Sequence, residues 1–150
     1  MTVVVSPGSA EAEPAPANYQ LANLFVGESA RMTSGDAVVK MRAGTGETNQ
    51  VWTLTSWPTP FIKISGTDLC ITAIQSGPIS AAQCETKGGQ IWEFRDGDGS
   101  YTIRNTLNIK NCLTAEGVGA PVYSAPCTNP GTNPGKKKRF QQQRWILIPQ

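Results

Sequence analysis

The sequence predicts an all-β domain closed on a three-fold repeat, and three observations carry that prediction. The chain has 15 Gly and 11 Pro in 150 residues. Both residue types break helices, so a helical bundle is disfavoured and a loop-rich β chain is favoured. Three short segments share one form: Gln50-Val51-Trp52-Thr53-Leu54, Gln90-Ile91-Trp92-Glu93-Phe94 and Gln143-Arg144-Trp145-Ile146-Leu147. Their tryptophans stand 40 and 53 residues apart within residues 18–150, a period of about 44 residues that signals a repeat architecture. Open solenoids and propellers need more copies or capping units, so three copies favour a closed structure.

The elements follow in chain order. Residues 1–17 read as a disordered tail: three prolines, Pro7, Pro14 and Pro16, stand among Ala, Ser and Glu with no aromatic residue, too little to bury. Thr2-Val3-Val4-Val5 has no basic residue ahead of it and is too short for the apolar core of a signal peptide. Each repeat then opens with a β-type run: Tyr19-Gln20-Leu21, Phe61-Ile62-Lys63-Ile64 and Tyr101-Thr102-Ile103-Arg104. Next come Arg31-Met32-Thr33-Ser34, Cys70-Ile71-Thr72-Ala73 and Cys112-Leu113-Thr114-Ala115, the last two closely alike. The Gln-x-Trp segment closes each repeat. If it is a strand, Gln, Trp and the following large apolar residue face one side, and the Gln amide then needs backbone partners from a neighbouring turn.

Composition narrows the chemistry. The chain is 39% hydrophobic and 16% charged, one ordinary domain with a real core. No apolar run reaches membrane-spanning length. A net charge of +2 draws the whole molecule to no nucleic acid. There is no histidine, which removes the usual general base and the commonest metal ligand. The four cysteines, Cys70, Cys84, Cys112 and Cys127, contain no C-x-x-C pair, so neither a metal site nor a cofactor is expected. By residues alone the four allow three disulfide pairings, or four buried thiols.

Three Q-x-W segments in register with C-[IL]-T resemble the ricin B-type (R-type) lectin family across residues 18–150. The resemblance implies a β-trefoil, the pairings Cys70–Cys84 and Cys112–Cys127, and a non-catalytic carbohydrate-binding protein. Two bridges would place it in an oxidising, extracellular compartment; without a visible signal peptide, a cytoplasmic location stays open. Gln50, Trp52, Gln90, Trp92, Gln143 and Trp145 would be structural. Sugar-binding members hold an acidic residue two places after the first cysteine, an aromatic just before the second, and an Asn before the Gln. This chain departs from that set. The acidic place reads Thr33, Thr72 and Thr114. The aromatic place reads Ala82 and Ala125, and falls near Met41 or Arg42 in the first repeat. The Asn survives only as Asn49, against Gly89 and Gln142.

Substitutes are available. Asp36, near Asn49 in the pattern, can replace the missing carboxylate, and Tyr123 with Glu116 does the same in the third repeat, although turn and packing roles also fit. Trp57, in Ser56-Trp57-Pro58-Thr59-Pro60, is either a stacking surface for sugar or protein or a plug at the end of the barrel. Between Cys127 and Gln143 lie 15 residues, against 5 between Cys84 and Gln90. The excess holds Thr128-Asn129-Pro130-Gly131-Thr132-Asn133-Pro134-Gly135 and then Lys136, Lys137, Lys138, Arg139 and Phe140. Its turn formers predict a loop leaving the barrel. That loop is a solvated excursion, a patch for an anionic surface, or a protease-directed inhibitory loop. Asp96-Gly97-Asp98-Gly99 lacks the Glu of a calcium loop, Leu107 standing there, and reads as a hairpin turn. The expected partners are glycans or glycoproteins.

Overall fold

The computed structural model describes residues 14–56, 58–73, 77–95, 99–129 and 133–150. Residues 1–13, 57, 74–76, 96–98 and 130–132, which include Trp57 and the expected Asp96–Asp98 turn, lie outside the described residues. The first strand starts at Ala17, one residue before the expected boundary. Among the described residues stand thirteen strands and one α-helix. The first repeat holds β1 (Ala17–Asn23), β2 (Ala30–Thr33), β3 (Lys40–Ala43) and β4 (Trp52–Leu54). The second holds β5 (Ile62–Ile64), β6 (Leu69–Thr72), β7 (Gly77–Pro78), β8 (Ser80–Gln83) and β9 (Trp92–Arg95). The third holds β10 (Thr102–Asn105), β11 (Asn108–Thr114), β12 (Tyr123–Pro126), α1 (Pro134–Gln142) and β13 (Trp145–Pro149).

Six strands close a barrel. β1 pairs antiparallel with β4 and β13, β4 with β5, and β9 with β10. Two seams are narrower. Trp92 N–H donates to Pro60 O at 3.1 Å between the β5 and β9 segments, and Tyr101 and Trp145 exchange two 2.8 Å bonds where β10 meets β13. Each repeat also sends a hairpin to one end of the barrel: β2–β3, β6–β8 and β11–β12. At that end three backbone bonds form a ring. Val39 N–H donates to Ile79 O, Ile79 to Val122 O and Val122 to Val39 O, at 2.8–2.9 Å. The ring marks the three-fold axis of a β-trefoil.

The core repeats by position. Trp52, Trp92 and Trp145 are each fully buried, as are Leu21, Ile62 and Ile103 on the opening strands and Met32, Ile71 and Leu113 on the hairpins. Every trio faces inward at the same place in its repeat, so the β period of two is satisfied three times over. Two disulfides, Cys70–Cys84 and Cys112–Cys127, staple the second and third hairpins, with Cα–Cα distances of 5.1 and 5.0 Å. No described helix is long and apolar enough to cross a membrane.

Candidate functional site

The Q-x-W glutamines are not strand residues. Gln50 and Gln90 end short 3-10 turns (Thr48–Gln50, Gly88–Gln90), Gln143 follows α1, and each strand begins at the tryptophan. The expectation that each Gln is a strand residue is therefore corrected, while Gln and Trp do both face inward, each pair being buried. A side chain with four hydrogen-bonding sites is better satisfied at a turn, where loop backbone is unpaired. The amide NH2 groups of Gln50, Gln90 and Gln143 donate to Ala43 O, Gln83 O and Pro126 O at 2.8–2.9 Å. Their carbonyls accept from the N–H groups of Thr45, Glu85 and Thr128 at 2.6–2.9 Å. The same NH2 groups also donate to the hydroxyls of Thr33, Thr72 and Thr114 at 3.0–3.1 Å. Those hydroxyls donate onward to the carbonyls of Arg31, Cys70 and Cys112. Each tryptophan Nε1 donates to the residue between them: Met32, Ile71 and Leu113, at 2.9–3.2 Å. The place where sugar-binding relatives carry a carboxylate is thus held here by a buried hydroxyl that pins the glutamine.

Strand register settles the aromatic place. Arg31 faces Arg42 as Cys70 faces Ala82 and Cys112 faces Ala125. Arg42 therefore holds that place in the first repeat, while Met41 is fully buried. The second repeat offers only a methyl group at Ala82 and nothing at Gly89. A Cβ at Gly89 would stand 2.4 Å from Ala73 O, which rules out an Asn there on this backbone.

An open cleft of about 420 Å³ lies in the first repeat, lined by Thr33, Arg42, Ala43, Thr45, Glu47, Asn49, Gln50 and Val118. Its volume is in the range of small-ligand sites. Asp36 stands at its edge in a 2.8 Å ion pair with Arg42. The hydrogen bond and charge of Arg42 hold the Asp36 carboxyl below the ordinary carboxylate range. Asn49 donates weakly to Ser34 O at 3.4 Å, and its Oδ1 is buried with no partner among the described residues. The structure thus brings Asp36 and Asn49 to one neighbourhood. It selects Arg42 from the two residues that the pattern left open, and adds Glu47 and Val118, which sequence patterns missed because they sit on loops outside the strand repeat.

The third repeat is arranged differently. The predicted loop is a helix from Pro134 onward. Asn133 caps it by accepting from Gly135 N at 2.8 Å, Pro134 supplies a preset φ at the first turn, and Lys, Arg and Gln propagate it. Asn133-Pro134-Gly135 thus starts this helix instead of extending a loop. Arg139 reaches back to donate to the Tyr123 hydroxyl, lies 5.9 Å from that ring's centre and 3.5 Å from the Glu116 carboxylate. Burial raises the Tyr123 hydroxyl's pKa, with Arg139 opposing. Glu116 and Tyr123, a pair expected for sugar, and Arg139, expected for an anionic or protease partner, are therefore bonded to one another. Lys138 lies 5.6 Å over the Phe25 ring, and Lys136 and Lys137 are exposed.

Comparison with known proteins places this geometry. No curated protein matches the chain in sequence. Among solved structures, a mosquitocidal holotoxin superposes with a TM-score of 0.75 at 15% identity, over 92% of this chain but only 18% of the toxin. A designed three-fold symmetric protein, ThreeFoil, gives 0.67 at 16% identity over 89% of this chain and 99% of its own. The β-trefoil lectin of the Vibrio vulnificus hemolysin/cytolysin, solved with N-acetyl-D-lactosamine bound, gives 0.65 at 19% identity, over 91% and 97%. At these identities the likeness shows the fold. The ricin-type beta-trefoil lectin domain matches residues 19–133, most of the chain, and the protein belongs to that family.

Proposed function

We propose that the chain is a non-catalytic carbohydrate-binding module whose working cleft is the one in the first repeat. One observation carries the reading: the cleft opens on the places, Thr33 and Asn49, where sugar-binding members of the family hold their carboxylate and amide. Arg42 offers a planar fork of donors, Glu47 and Asp36 accept from hydroxyls, and Ala43 and Val118 give an apolar wall for a sugar's C–H face. Asp36, in its ion pair with Arg42, is placed to accept hydrogen bonds from a ligand. The second and third repeats support this reading of degenerate sites. Gly89 presents no side chain, and Arg139 occupies Tyr123 and Glu116. The two disulfides fit an extracellular protein that meets glycans or glycoproteins there.

The test is a glycan array with the full chain, run at low salt and at roughly 0.5 M, where exposed charge contacts are screened. Salt-resistant binding to a neutral glycan is expected, and Asn49→Ala or Asp36→Ala should reduce it at least about ten-fold, the equivalent of one good hydrogen bond to a charged group. Unchanged binding by both variants, with melting curves intact, overturns the cleft assignment. A blank array at both salts overturns the lectin reading.

A further inference from the structure

The basic run on α1 is divided by its own contacts. An α-helix turns by about 100° per residue. Lys138 and Arg139 are neighbours on the side facing the barrel, one over Phe25 and the other on Tyr123 and Glu116. Gln142, between them in projection, is buried. Lys136 and Lys137 consequently lie on the opposite, solvent-facing arc. Both are exposed, and neither enters any ion pair among the described residues.

That placement is electrostatically uphill. The first turn of α1 holds no acidic residue, and cations near the positive end of a helix are disfavoured. Adjacent lysines add mutual repulsion. The whole chain carries only +2, so the four cations of this segment make a local positive field on a molecule that is otherwise slightly acidic. Nothing inside the fold uses the two outer charges.

We infer that the outer face of α1, through Lys136 and Lys137, binds a sulfated glycan chain, separately from the first-repeat cleft. The face itself selects among anionic partners. A membrane-binding helix lays an apolar side into the lipid. Here the one aromatic, Phe140, lies between Lys136 and Lys137 in projection, but its ring is half-buried with the Arg144 guanidinium 5.3 Å over it, so the exposed side chains of the outward arc are Lys136, Lys137 and Gln141. Nine residues make a platform about 13 Å long, which suits a few sulfated sugars of a chain. The choice of glycan over other polyanions rests on reading the protein as a carbohydrate-binding module; the charged face does not.

The experiment uses the full chain on immobilised heparin, with Lys136→Gln/Lys137→Gln and Asn49→Ala as variants. Anionic phosphatidylserine vesicles and a double-stranded DNA of random sequence serve as competing polyanions. The wild type should bind heparin with an affinity that falls as salt rises. The double variant should bind about ten-fold more weakly at roughly 0.15 M salt, with a log–log salt slope shallower by one to two, since each lost cation removes about one released counterion. Asn49→Ala should leave heparin binding unchanged, and the double variant should leave neutral-glycan binding unchanged. Heparin binding that survives the double substitution overturns the assignment, as does equal or tighter binding to DNA or vesicles. A blank neutral array alongside lysine-dependent heparin binding would defeat the cleft reading and leave this one standing.

Discussion

Introducing Arg31→Cys together with Gly44→Cys tests how far the three repeats are one backbone, because the first repeat alone has no bridge among its described residues. Strand register sets Arg31 opposite Arg42 as it sets Cys70 and Cys112 opposite Ala82 and Ala125. Gly44 N–H donates to Ser29 O at 2.8 Å, matching Cys84 to Asp68 O at 2.9 Å and Cys127 to Lys110 O at 2.7 Å. A Cβ on Gly44 would stand 3.5 Å from the Arg31 Cγ and 3.4 Å from Ser29 O, so a side chain there fits and points at its partner. The loop closed is one to two residues shorter than the native ones, which span 14 and 15. Loop entropy for about 14 residues gives about 3 kcal/mol at 25 °C. Against this stands the loss of the Arg31 guanidinium, which donates to Gln20 Oε1 at 2.8 Å and to the carbonyls of Glu28 and Ala30.

The proper reference is therefore the Arg31→Ser/Gly44→Ser protein, which loses the same guanidinium without gaining a bond. Thermal unfolding of the oxidised cysteine variant should lie about 10 °C above that reference, since about 3 kcal/mol spread over a domain of this size moves the midpoint by several degrees per kcal/mol. Thiol titration should find no free sulfhydryl. Reactive thiols in the folded oxidised protein, or a gain under about 1 kcal/mol, would refute the equivalence of the three hairpins.

Three further outcomes follow from the same geometry. Gln90→Ala removes a fully buried amide, takes the partner from Glu85 N–H and from Gln83 O, and removes the donor to the buried Thr72 hydroxyl, and urea unfolding should show a loss of about 3 kcal/mol; a loss below about 1 kcal/mol would mean water replaces the amide freely. Gly89→Ala must displace the backbone at Ala73, 2.4 Å from the new methyl, whereas Gly117→Ala meets nothing within 4 Å. The first should cost more than about 2 kcal/mol and the second under about 0.5 kcal/mol, and similar melting points for the two would contradict the contact. Burial pushes the Glu93 carboxyl up, but hydrogen bonds and charges from Arg104 and Arg95 outweigh it and hold the pKa below the ordinary 4.5. A depressed carboxylate contributes stability above its unfolded pKa that is lost as pH falls through the folded one. The midpoint gap between the native protein and Glu93→Gln should thus be full at pH 7 and narrow below about pH 4.5; a gap independent of pH would remove Glu93 from the acid limb.

Repetition decided what could be read from the sequence. The three tryptophans, the opening strands and the Cys-x-Thr runs occur in copies, and a buried position repeated three times announces its role without a structure. Register was harder. Whether Met41 or Arg42 takes the aromatic place depends on a hairpin in which one neighbour is core and the other faces out, and a one-residue slip exchanges them. The helix was hidden because Asn-Pro-Gly marks both a turn and a helix start, and so short a segment depends on contacts with the barrel, from Lys138, Arg139 and the buried Gln142, that no local pattern shows.

The same reasoning explains why the candidate site was the least legible part. The residues common to all three repeats are consumed by the fold: the glutamine amides, threonine hydroxyls and indole N–H groups satisfy one another and the hairpin backbone. A binding group must instead be free to meet a ligand, so it appears where one repeat departs from the others. Asn49 against Gly89 and Gln142, Arg42 against Ala82 and Ala125, and α1 against two short 3-10 turns are such departures. In a three-fold protein the fold is read from what the repeats share, and function is sought in what they do not. A variant that restores symmetry at Arg42, such as Arg42→Ala to match the other two repeats, should accordingly spare stability and remove glycan binding; the pair with Asp36 is exposed and contributes little to folding. Retained binding by that variant would show that the departure at this position is incidental.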